Sequence, residues 1–228
     1  RWGVVPVFLV CGPFLLLLRM IIDWSYFGPA LFLLLLPIGL LHGKRTRHRG
    51  LTRDWSGQWS LYFTHPHHLF DLLRGAGGAW LLAHSIELAP GASGLMRFAP
   101  LTTQGGVLVL GALAQSLFCR EPDSCHAPFT YIAGVVAGWA PPLTAAFAII
   151  LAVVSALGTR LAPAAFPVIA VATLALGALF HGKVYLLKLI PVSLAAIVPW
   201  MIALLLSREL VTTQRIPKAS GRPHAPLR

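Results

Sequence analysis

THPHHLFDLLRGAGGAWLLAHSIEL, residues 64–88, is the stretch whose reading decides the fold. It sets four histidines, Asp71, Arg74 and Glu87 among leucines, a tryptophan and small residues, while most of its surroundings are apolar. Ionisable groups at that density are expensive inside a bilayer, so they mark a functional site or else lie outside the hydrocarbon. Leu69, Leu72, Leu73, Ala76, Trp80 and Ala83 recur at helical spacing, with Asp71, Arg74, Gly78 and Ser85 on another sector. Thr64 is a good N-cap, and Pro66 suits a first turn. An amphipathic helix is therefore expected here.

Outward from this stretch the chain is built for lipid. Its 228 residues are 57% hydrophobic and 11% charged, with a mean hydropathy of +0.75. Soluble domains carry about 25% charged residues. Apolar spans are expected over 2–22, 26–41, 105–118, 164–180 and 184–206. Against the roughly 20 residues that a crossing needs, 26–41 is a little short and 105–118 reaches one only if Leu101 and its neighbours join it. Residues 128–157 are too short for two full crossings and read as one helix kinked at Pro141-Pro142. Residues 1–207 thus form a single transmembrane domain, and 208–228 a basic polar tail. That tail has no periodicity and is disordered in isolation, so an ordered tail implies a partner subunit holding it.

Charge orients the spans. The net charge of +11 concentrates in the loop 43–66 and the tail. Basic clusters flanking apolar spans fit the positive-inside rule and anionic head groups. Nucleic acid is not an expected partner, because no recognition module accompanies the charge. With both clusters cytoplasmic, an even number of crossings separates them, and five candidates lie between. Holding residues 64–88 at the interface keeps Arg74, Arg97, Arg160 and the tail inside. The expectation is an all-α, polytopic integral protein of the bacterial cytoplasmic (inner) membrane, both termini cytoplasmic. It has about six transmembrane helices plus one interfacial or re-entrant helix; seven transmembrane helices is the alternative. The same arrangement puts Cys119 and Cys125, which bracket a short polar turn, in the oxidising compartment. There they can close a disulfide, with two thiols as the other reading.

Candidate chemistry is sparse. His67 and His68 reach Asp71 one turn on, an arrangement open to proton, lipid-phosphate or metal chemistry. The plainer reading is a helix start among head groups, with Asp71 and Arg74 neutralising one another. No motif spacing strengthens a metal site. His84, with Trp80 one turn back and Glu87 one turn on, can ligate a haem or chlorophyll-type pigment, or be a simple interfacial histidine. His67, His68, Asp71, Arg74, Trp80 and Glu87 together form the expected docking surface for lipid or partner. Gly75, Gly77 and Gly78, with Gly134 and Gly138, permit close helix approach. No nucleophile elbow, catalytic carboxylate pair or phosphate loop is present. The expected role is a non-catalytic accessory subunit of a larger membrane complex, in contact with lipid and other membrane subunits. The alternatives are a transporter or channel, with a polar cavity near Gln115 and Pro141, and a lipid-modifying enzyme using His68 or Arg74.

Overall fold

Asp23 opens the first described helix, α1 (Trp24–Leu35), accepting a hydrogen bond from the Ser25 amide at 2.9 Å. The computed structural model describes residues 20–37, 46–50, 66–88, 94–118 and 124–215, over which the chain is mostly helical. The expected first span, 2–22, lies outside the described residues except for Met20–Ile22, which form strand β1. Helix α1 stops well short of the expected 26–41. Leu36 takes φ −64°, ψ 111°, the extended conformation that a following proline, Pro37, imposes on its predecessor.

Helix α2 (Pro66–Ala83) is the deciding stretch, and it runs antiparallel to α1. The two are tied at one end: the Asp23 amide donates to the Ser85 carbonyl at 2.8 Å. There β1 also pairs antiparallel with β3 (Ile86–Leu88), Ile21 opposite Glu87. After a 3-10 turn at Gly94–Phe98, α3 (Ala99–Leu117) returns toward the far end. Its Gln104 donates to the Leu82 carbonyl at 3.0 Å and its Gln115 to the Leu36 carbonyl at 2.9 Å, which fixes its direction.

Residues 128–157 are not one kinked helix. Helix α4 (Phe129–Trp139) ends, Ala140 and Pro141 are both extended, and α5 (Pro142–Thr159) begins with Pro142 in its first turn. Each proline forces the residue before it out of helical geometry, so the pair makes a break. The chain then reverses. Phe129 at the start of α4 meets Phe166 at the start of α6 (Ala165–His181), ring centroids 6.2 Å apart. At the other end of α6, Gly177 lies against Thr144 of α5 and Leu189 of α7 (Lys183–Leu205). Gly182 joins α6 to α7 at φ +76°, a left-handed value that glycine takes without steric penalty.

Helices α5 to α7 are long and apolar enough to cross a membrane, each with a hydropathy of 2.0 over its window. α1 and α4 are shorter apolar helices. Helix α5 is packed inside out by the standards of a water-soluble protein. Ala145, Ala148, Ala152 and Ala156 are buried, while Phe147, Ile150, Leu151 and Val154 are exposed. Small residues inward and large apolar residues outward is the pattern of a helix whose solvent is hydrocarbon or another apolar surface.

Three short strands close the far end. β5 (Glu209–Arg215) lies in the middle, antiparallel to β2 (Thr46–Gly50) and parallel to β4 (Ser124–His126). The expectation of a tail that only a partner could order is thus corrected: 209–215 is held by strands of its own chain, and 216–228 lies outside the described residues. The sheet also places Cys125 at the end that carries both basic strands, not opposite them. Two described helices, α2 and α3, run between β2 and β4, and the break at Ala140 and Pro141 makes the number of helices between β4 and β5 even as well.

Candidate functional site

Two clusters of polar residues in the described structure are built on α2. The first is internal. Proline-terminated α1 leaves carbonyls at its C-terminus without intrahelical donors, and such groups must be met when buried. Arg74 Nη1 donates to the Leu33 carbonyl at 2.8 Å and to the Leu36 carbonyl at 2.5 Å. Gln115 donates to the carbonyls of Leu34, at 3.3 Å, and Leu36, and the Tyr131 hydroxyl donates to Leu34 at 3.1 Å. The guanidinium lies over the Tyr131 ring, 4.8 Å from its centroid, and Nη2 bonds Asp71 Oδ1 at 3.0 Å. Three donors from three helices thus cap the end of a fourth. A cation there also complements the negative end of the α1 dipole.

Glycines make this convergence possible. A Cβ at Gly134 would run into the Leu72 carbonyl oxygen, and one at Gly138 into that of Ala76. The matching four-residue steps show that α2 and α4 run parallel in near backbone contact. Gly78 admits Leu34 of α1, and Gly111 leaves room for the Tyr131 hydroxyl.

Residues 66–83 therefore pack between α1 and α4, with Leu69, Phe70, Leu73 and Trp80 on the face left exposed. The expected docking residues divide accordingly. His68, Asp71 and Arg74 are buried; His67, Trp80, His84 and Glu87 are exposed. The Asp71–Arg74 pair forms at the expected spacing, but the Arg74 side chain is only 1% exposed. It cannot reach a substrate without vacating three acceptors. Cys125 is buried on β4, while Cys119, its expected partner, lies outside the described residues.

The second place is a half-open cavity of about 410 Å³ at the end where α2 and α4 finish and α3, α5 and α7 begin. Trp80, His84, Gln104, Trp139, Tyr185 and Lys188 line it, together with the break at Ala140 and Pro141. His84 Nδ1 bonds the Trp80 carbonyl oxygen at 2.8 Å. A carbonyl only accepts, so Nδ1 carries the proton and, in the neutral ring, Nε2 keeps a lone pair. The imidazole also stacks on Trp80, with centroids 4.7 Å apart. Trp139 Nε1 donates to the Lys188 carbonyl at 2.6 Å, which holds the end of α4 against α7. The Lys188 ammonium sits 5.5 Å from the Tyr185 ring centroid, over its face.

Of these residues the sequence singles out Trp80 and His84, and it attaches Pro141 to a cavity only under the transporter alternative. Sequence reasoning missed Gln104, Trp139, Tyr185 and Lys188, which α3, α4 and α7 bring in from far along the chain. Gln115, expected in the same cavity, belongs to the internal cluster instead. Among the described residues, no group of three or more His, Cys, Asp or Glu is placed to hold a metal ion. No protein-family profile, curated protein or solved structure matches this chain.

Proposed function

We propose that this chain is an integral protein of the bacterial cytoplasmic membrane acting as a non-catalytic accessory subunit of a larger membrane complex. One observation carries the reading: the buried charge of the bundle is engaged in architecture. Arg74, with Gln115 and Tyr131, completes the end of α1, and Asp71 neutralises Arg74. The outward face of α5, with Phe147, Ile150 and Val154 exposed, is the surface through which such a subunit meets its neighbours. Orientation follows from the basic residues. Arg47, Arg49, Arg160, Arg208 and Arg215 lie at the end with the three-stranded sheet, and Arg97, Lys183 and Lys188 at the other, which favours a cytoplasmic sheet. Helices α2 to α7 then cross six times between the two basic strands, consistent with both lying on one side.

A photoreactive residue in place of Ile150, expressed at native level, tests the subunit reading. Adducts to one or a few membrane polypeptides in fixed stoichiometry are expected. Adducts to lipid only, from a particle that purifies as a monomer in mild detergent, would overturn it. A transporter reading draws on the cavity at the Ala140 and Pro141 break, since discontinuous helices build transport sites. Solute flux in proteoliposomes that stops when Ala83→Phe fills the cavity would establish that reading in its place.

A further inference from the structure

We infer that the cavity between Trp80, Trp139 and Lys188 binds the phosphate headgroup of an anionic membrane lipid, an assignment that rests on the membrane reading above. Depth is the first argument. The cavity lies where the three long apolar helices begin or end, at Pro142, His181 and Lys183. At the same end Trp24, Tyr26, Trp80, Trp139 and Tyr185 form a band of aromatics, with Tyr26 and Trp80 rings 6.4 Å apart. Aromatic side chains gather at the level of lipid head groups. A ligand resident at that depth, with its tails in hydrocarbon, is a lipid.

Charge is the second argument. Among the described lining residues there is one formal cation, Lys188, and no carboxylate. Lys188 makes no ion pair among the described residues; its ammonium rests on the face of Tyr185. His84 adds a second polar nitrogen at the rim. An ammonium is a compact donor that binds phosphate as a point charge. Size is the third. A cavity of about 410 Å³ takes a phosphoglycerol headgroup, and its open side leaves the acyl chains outside, against exposed residues such as Leu187 and Leu143.

The test uses the full chain in nanodiscs of phosphatidylcholine doped with phosphatidylglycerol, with retained lipid counted by native mass spectrometry. Lys188→Gln should weaken phosphatidylglycerol retention about tenfold, the scale of one charge-assisted contact. Lys188→Arg should restore it. Lys183→Gln, which removes a charge from the same helix end outside the cavity, should leave it unchanged. Equal retention across all variants, or equal loss from Lys183→Gln and Lys188→Gln, would overturn the site. Displacement of the lipid by inorganic phosphate at comparable concentration would assign the cavity to a soluble phosphate compound and overturn the lipid. Each variant's melting temperature separates lost binding from lost folding. The membrane reading fails differently: a chain released from membranes by alkaline carbonate is not integral at all.

Discussion

Arg74 shows how one residue can be correctly paired and wrongly placed. Its partner Asp71 is local, three positions back, and helical spacing exposes that contact in the sequence. Its acceptors, the carbonyls of Leu33 and Leu36, lie 41 and 38 positions earlier. Backbone oxygens carry no sequence signature, so nothing in the text of the chain points to them. The clue that was present is Pro37, which ends a helix and so creates carbonyls in need of donors. Removing one partner of a buried charged pair costs about 3–5 kcal/mol, so Arg74→Leu is expected to lower the melting temperature in detergent sharply. Arg74→Lys should recover only part of it, because an ammonium lacks the planar fork that serves three acceptors. Tyr131→Phe removes one donor from a carbonyl that Gln115 also serves. The expected loss is about 1 kcal/mol. A Tyr131→Phe variant as unstable as Arg74→Leu would refute this ordering.

Helices were legible here in proportion to how much hydrocarbon they face. Helices α5, α6 and α7 have long apolar windows; α6 and α7 lie near their expected limits, while α5 is the second half of the segment expected as one helix. Helix α4 was not legible as a separate helix, because the length rule applies to a helix that lies in lipid. Residues Phe129 to Val136 are all buried. A helix wrapped in protein has no bilayer thickness to match, so eleven residues suffice. Counting on length merged it with α5. The same glycines that admit α4 offer a test. A side chain at Gly134 or Gly138 meets backbone oxygens, which cannot step aside as a flexible side chain can. Gly134→Val and Gly138→Val should each destabilise by about 1–3 kcal/mol or prevent folding. Gly106 and Gly158 sit in helices with nothing near the new Cβ. Alanine there should be neutral or gain up to about 1 kcal/mol of helix propensity. Thermal unfolding of the four variants side by side checks the contrast.

Across the whole molecule, six described helices, α2 to α7, separate the two basic strands β2 and β5, which pair antiparallel in one sheet. Residues 64–88 looked too polar to cross. Asp71 and Arg74 are instead matched inside the bundle, and Pro141 and Pro142 divide residues 128–157 between two helices. In a background without the native cysteines, Arg47→Cys and Thr213→Cys should be shielded from an impermeant thiol reagent in intact cells. Lys183→Cys should be labelled. Labelling of Arg47→Cys and Lys183→Cys from the same side would contradict the bundle as a whole.

The three-stranded sheet has a consequence for the order in which the protein is made. Its central strand, β5, follows every described helix in the chain, while the strands it joins, β2 and β4, emerge long before it. Neither can find its neighbour until α7 has left the ribosome and entered the bundle. Until then both present unpaired edges, the feature that invites association with other chains. A polypeptide cut short before residue 209 would keep those edges permanently. Closure of the sheet therefore waits on synthesis past residue 215, whatever the state of the helices before it.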